Sequence, residues 1–161
     1  LQADLSVDSK TVHLLVGHLK AQKDDLSLAK RRAEAKALAD YLRSGNFDLS
    51  SEPVLIAGDM NTVAAGDRSS AGSAFEAAYP TLPRPTLDYL RLKDDEDSAN
   101  DFWASYESTL PTTSTHEEGG VLDHLILSPA AKAAYIPQSV KVLVPSGDCS
   151  DHYLVCLDLE L

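Results

Sequence analysis

Pro53-Val54-Leu55-Ile56-Ala57-Gly58 is a short, unbroken apolar run that stops at Asp59-Met60-Asn61. A run apolar at odd and even positions alike reads as a central strand covered on both faces. Asp59 and Asn61 leave that strand two residues apart, so in extended chain their side chains point to the same side. A carboxylate beside a carboxamide pairs an anionic acceptor with a neutral group that can donate to a phosphate oxygen. Gly-Asp-x-Asn is equally the pattern of an Asx-turn leaving a strand, and the four residues by themselves do not decide between the two.

The flanking patterns predict mixed α/β structure, in the order β-β-α-β-loop-β-β-β with mostly antiparallel pairing. Ala3, Leu5 and Val7 alternate with polar residues, Asp8-Ser9-Lys10 offers a turn, and residues 11–18 form a second, more buried strand that ends at His18. Across residues 25–43, Leu28, Ala35, Leu38 and Leu42 recur at helical steps, with Lys and Arg on the other face and Gly45 at the C-cap. Asp24-Asp25 suits the dipole of that helix. Residues 63–100 read as a long surface excursion with a short helix near Phe75. Strands resume over 121–127, 140–144 and 153–161, and Asp101-Phe102-Trp103 reads as a packing element beside the sheet.

Composition narrows the function. At 161 residues the chain is one domain or a large part of one, and 43% hydrophobic residues suffice for a core. Fourteen Lys and Arg against 25 Asp and Glu leave a net charge of −11. That balance disfavours holding nucleic acid by phosphate neutralisation alone, although a bound metal inverts local charge. Cys149 and Cys156 lie too far apart along a strand for a disulfide and read as two small core thiols. No Cys-x-x-Cys or paired-His spacing marks a zinc site. No apolar run approaches the ~20 residues of a membrane helix. The first residues carry no signal-peptide pattern, and the compartment is left open.

Three more polar residues interrupt or end strands. Asp123 shares a strand face with Leu125 and Leu127, so it is expected to be partly buried and to need a partner. A histidine from a neighbouring strand would satisfy it and become a better general base in return, while a structural ion pair is the plainer reading. His152, in Ser150-Asp151-His152 at the entrance to the last strand, is a candidate for that histidine, or else a surface histidine. His18, taken alone, reads as a core or surface histidine.

Taken together, the strand ending in His18-Leu19, Gly58-Asp59-Met60-Asn61, Leu122-Asp123-His124-Leu125-Ile126-Leu127-Ser128 and the terminal Ser150-Asp151-His152 resemble the endonuclease/exonuclease/phosphatase superfamily. That superfamily includes pancreatic-type deoxyribonucleases, abasic-site endonucleases, sphingomyelinases and inositol-polyphosphate 5-phosphatases. The helix around Arg31-Arg32-Ala33-Glu34 and the Thr-rich stretch Thr112-Thr113-Ser114-Thr115 match less diagnostic family segments. His124 stands where the family usually has Tyr or Arg.

The resemblance implies His152 as the catalytic histidine, Asp123 as the aspartate orienting it, and Asp59 as a second carboxylate near nucleophile and metal. It further implies Asn61 as a phosphate-orienting amide, His18 as a phosphate contact, and Asp151 with Asp59 on the metal side. The implied activity is divalent-metal-dependent hydrolysis of phosphate esters, with Mg²⁺, Mn²⁺ or Ca²⁺ as cofactor. Nucleic acids, nucleotides, lipid headgroups and sugar phosphates all stay open as substrates.

The implied fold is a four-layer α/β/β/α sandwich of which residues 1–161 are the C-terminal half. The family's first-half asparagine and metal-binding glutamate have no counterpart here, so the chain alone is expected to be inactive. One apolar sheet face, from Val12, Leu14, Val16, Val140, Val142 and Val144 or their alternates, is expected to need a cover. The missing N-terminal half or a second chain would supply it. The alternatives are a non-catalytic binding domain that keeps the fold, and a structural module whose polar strand residues only pair with each other.

Overall fold

The computed structural model describes residues 1–96, 98–107, 114–146 and 150–161. Cys149, Thr112, Thr113, Gly147 and Asp148 lie outside the described residues. Strands β1 (Gln2–Val7) and β2 (Lys10–His18) form the expected hairpin. Asp8 and Ser9 both have positive φ, the turn geometry that matches the twist of antiparallel strands. Helix α1 (Asp25–Tyr41) begins where the Asp24 carboxylate accepts the Ser27 amide. Past it, the chain turns through Gly45 at φ 83°.

The helix carries the chain across to β3 (Val54–Asp59), which pairs parallel to β2. Strand β5 (Asp123–Leu127) then adds antiparallel to β3, and the short β4 (Trp103–Ala104) closes the order β1-β2-β3-β5-β4. Three of these four pairings are antiparallel, so the mostly antiparallel α/β architecture holds. The last strands differ from expectation. Strands β6 (Lys141–Leu143) and β7 (Leu154–Cys156) pair with each other in a separate two-stranded sheet.

The core lies on one side of the large sheet. Leu15, Val54, Ile56 and Ile126 pack there against Ala35, Ala39 and Leu42. The helix face differs from the expected pattern, because Arg31 and Arg32 are fully buried rather than solvated. Both Arg31 Nε and Nη2 donate to the Asp67 carboxylate at 2.9 Å, and Nη1 donates to the Lys20 and Gln22 carbonyls. Arg32 donates to the carbonyls of Leu82 and Gly66 and stacks over Phe75.

These arginines draw in much of the segment read as a surface excursion. Helix α2 (Ser73–Ala78) forms as expected, and α3 (Thr86–Leu90) packs on α1 and buries Leu87, Tyr89 and Leu90. A loop read as exposed from its Gly, Ser and Pro content is thus anchored by polar partners inside. Lys132 caps the rings of Trp103 and Tyr135 at 4.1 Å from each centroid. Cys156 is half-buried on β7 rather than a core thiol.

The opposite face of the large sheet is open over its middle. Leu14, Leu55, Ala57 and Leu125 are half-buried and Val16 is 40% exposed, so β3 is covered fully on one side only. The cover is more complete at one end than expected. Val12, Val140 and Leu127 are buried, where α4 (Pro129–Ala133) packs against β3 and β5. Val144, just past β6, and Leu154 on β7 stay exposed at 65% and 63%. Among the described residues no helix is long and apolar enough to cross a membrane.

Candidate active site

Strand register places polar residues in one row. His18 lies opposite Asp59 across the parallel pair, and Asp59 lies opposite Asp123 across the antiparallel one. All three follow the alternation of the open face. The row one residue earlier, Gly17-Gly58-His124, faces the core. Gly58 has φ 137°, and a Cβ there would come within 1.9 Å of the Gly17 carbonyl oxygen. Only glycine permits this close approach of β2 and β3 just before the polar row.

At the strand end the chain turns sharply. Asn61 has φ 48°, its amide donates to Asp59 Oδ1 at 2.8 Å, and its Nδ2 donates to Asp59 Oδ2 at 3.1 Å and to the Leu19 carbonyl at 2.9 Å. The Asx-turn and the convergence of the two side chains are therefore the same structure, made by a turn rather than by extended chain. Both Nδ2 hydrogens of the buried Asn61 are taken internally, so its carboxamide holds Asp59 and the β2 end together. His18 is 73% exposed, with Nε2 3.4 Å from Asp59 Oδ2.

His152 arrives from the residues just before β7. Its Nδ1 lies 2.9 and 3.1 Å from the two Asp123 oxygens, and its Nε2 lies 3.7 Å from Asp59 Oδ2. A carboxylate only accepts, so Nδ1 carries the proton and Nε2 is left to accept one. The two carboxylates stand on neighbouring strands and favour a cation between them. Hydrogen bonding to Asp123 raises the His152 pKa, partial burial opposes this, and the charges of Asp123, Asp59 and Asp151 add to it. His152 and Asp123 thus meet as the sequence predicts, but through an isolated bridge between His116 and His152 rather than a continuous strand pair.

Asp151 lies beside His116, whose Nε2 is 3.5 Å from Asp151 Oδ2. Nothing in the sequence marks His116, because a single histidine after a Thr-rich stretch has no diagnostic spacing. One nitrogen or oxygen each from His116, Asp151 and His152 falls within 4.8 Å of the others. Oxygen donors fit a hard divalent cation, and Asp59 and Asp151 are the carboxylates able to hold one. Asp151 is the more open of the two, at 61% against 15% exposure, while Asp59 already accepts from Asn61.

His124, next to Asp123, faces the other way and is 1% exposed. Its Nε2 lies 2.8 Å from Thr62 Oγ1, which itself donates to the Val121 carbonyl, so Nε2 is the donor. Nδ1 is buried without a hydrogen-bond partner, and the ring meets Tyr106 edge-on. Burial, with Arg68 nearby, pushes the His124 pKa down to about 3. The folded protein keeps this ring neutral while the unfolded chain protonates it at its ordinary 6.5.

The stabilising difference is complete above 6.5 and is lost as pH falls toward about 3. The expected slope is about 1.4 kcal/mol per pH unit inside that window. His152, with its raised pKa, contributes in the opposite sense, and its share is lost as pH rises. Urea unfolding at stepped pH, for the natural protein and for His124→Gln, isolates the His124 share. Equal slopes in the two proteins would contradict it.

A sequence model of the Endonuclease/Exonuclease/phosphatase family matches residues 9–152. No curated protein matches the sequence. Among solved structures, an endonuclease/exonuclease/phosphatase from Beutenbergia cavernae DSM 12333 is similar at 15% identity and TM-score 0.61, covering 99% of this chain and 38% of that one. A beta toxin from Staphylococcus aureus is similar at 16% identity and TM-score 0.55, covering 99% and 56%. SmcL is similar at 19% identity and TM-score 0.52, covering 94% and 55%. These likenesses show the fold, and this chain spans about half or less of the length of each.

Proposed function

Because the chain belongs to the endonuclease/exonuclease/phosphatase family, we propose that it forms the C-terminal part of a divalent-metal-dependent phosphoesterase domain. The observation that carries this reading is His152, held by Asp123 at Nδ1 and offering Nε2 beside Asp59. A general base needs that arrangement, with one nitrogen fixed by a carboxylate and the other aimed at the reacting proton.

In the proposed reaction, His152 Nε2 takes a proton from water as the water oxygen bonds to phosphorus and the ester P–O bond breaks. Asp123 holds the ring in the required tautomer and stabilises the charge it gains. Asn61 acts by fixing Asp59 rather than by donating to phosphate, since its amide hydrogens are already engaged. His18 is the exposed donor at the end of the row and takes the phosphate contact. A divalent cation held by Asp59 and Asp151 would neutralise charge building on the phosphoryl oxygens.

The family's metal-binding glutamate would come from a segment outside this chain, and that segment would cover the open sheet face. A charge of −11 supports small or partly shielded phosphate esters over an extended nucleic-acid groove.

The test is hydrolysis of bis(p-nitrophenyl) phosphate and p-nitrophenyl phosphate by the full-length protein and by residues 1–161 alone. The full-length protein is expected to hydrolyse one of them with Mg²⁺ and to stop in chelator, while the isolated chain is inactive and self-associates. Absence of turnover with Mg²⁺, Mn²⁺ and Ca²⁺ in the full-length protein would refute the reading.

A further inference from the structure

His116 is the member of the cluster to which the phosphoesterase reading gives no task. It is partly buried, with 15% of its side chain exposed, and the backbone ties it to the site twice. It bridges His152, and the amide of Glu117 donates to the Asp151 carbonyl at 2.9 Å. Its ring stands edge-on to His152 with centroids 4.8 Å apart, which leaves little room to turn.

Its hydrogen bonding decides which chemistry it can perform. The Glu118 amide donates to His116 Nδ1 at 3.1 Å. A neutral imidazole carries one N–H, so with Nδ1 accepting, the proton is on Nε2. That is the nitrogen beside Asp151, at 3.5 Å, too long to use up the donor. A histidine that ligates a metal donates from its other nitrogen to a carboxylate, carbonyl or water. Here the other nitrogen faces a donor, so freeing the Nε2 lone pair would set two N–H groups against each other.

We propose that His116 is a substrate-contacting residue whose Nε2–H donates to a non-bridging phosphoryl oxygen, and that it is not a metal ligand. The proposal rests on the phosphoesterase reading for the nature of the oxyanion. It does not rest on turnover. It gives the site a second histidine donor, beside His152 as His18 is beside Asp59.

Long-range ¹⁵N–¹H spectra of the full-length protein at pH 8 read the tautomer directly. His116 is expected as the Nε2–H form, and inorganic phosphate is expected to shift its Nε2 together with the ring of His152. His116→Ala is expected to weaken phosphate binding by about tenfold, followed at His152, and His116→Gln to restore part of it. One equivalent of Zn²⁺ is expected to leave His116 Nε2 unmoved.

An Nδ1–H tautomer, a Zn²⁺-shifted Nε2, or phosphate that binds equally well to His116→Ala would each overturn the proposal. So would a phosphate titration that moves neither ring. Because these readouts need no catalysis, an inactive protein that binds phosphate through His116 would sink the phosphoesterase reading and leave this one standing.

Discussion

His152→Ala in the full-length protein is expected to lower turnover of a phosphodiester by roughly 10²–10⁴-fold, the range that positioned acid–base groups supply. Two distances carry this expectation, 2.9 Å from Nδ1 to Asp123 and 3.7 Å from Nε2 to Asp59. Asp123→Asn is expected to produce a large part of the same loss, because an amide can present its NH₂ to Nδ1 and reverse the tautomer. The side chain of His152 is 32% exposed and contributes little packing, so unfolding free energy should change by less than about 1 kcal/mol. Steady-state kinetics alongside urea denaturation separate the two effects. Activity within a few-fold of the natural protein in His152→Ala would remove His152 from the chemistry.

Asp67→Ala is expected to destabilise the fold by about 3–5 kcal/mol, the cost of leaving a buried charge without its partner. Arg31 and Asp67 are both fully inaccessible and meet through two parallel 2.9 Å hydrogen bonds. Asp67 also accepts from Thr86 Oγ1 and from the Ala64 amide, so one carboxylate joins α1, α3 and the loop after Asn61. Arg31 in turn holds the Lys20 and Gln22 carbonyls, directly after Leu19, whose carbonyl accepts from Asn61. The pair therefore sits beneath the loops that frame the polar row. The double replacement Arg31→Met with Asp67→Leu is expected to recover much of the loss, since it removes both charges together. A midpoint shift worth less than about 1 kcal/mol in Asp67→Ala would mean that solvent reaches Arg31.

The parts of this molecule that could be read from the chain are those governed by short-range pattern. Alternation in β1 and β2, the apolar run of β3 and the period of α1 are local signals, and the elements stand close to where they predict. The polar residues at strand ends were readable for the same reason. Asp59 ends one apolar strand and Asp123 begins another, and a carboxylate in either place stands out against the apolar run beside it.

Long-range pairing was less accessible. Arg31 and Arg32 look like a solvated helix face until Asp67 and the carbonyls of Gly66 and Leu82 come to meet them. A segment rich in Gly, Ser and Pro then becomes part of the interior. The spacing of Asp59 and Asn61 implies convergence through extended chain, whereas at φ 48° a turn brings the two side chains together. His116 carries no local signal at all and enters only through its backbone bridge to His152.

The carboxylates Asp59 and Asp123 sit on the five-stranded sheet, whereas His152 reaches them from the residues just before β7 of the two-stranded one, where it forms an isolated bridge with His116. His152 and the two carboxylates it faces thus come from different segments, and the proposed chemistry depends on how the small sheet is seated. Substitutions at the exposed Leu143, Val144 and Leu154 would then register as altered turnover well before they register as a lower melting temperature. The site can then be tuned from residues that lie outside the buried core.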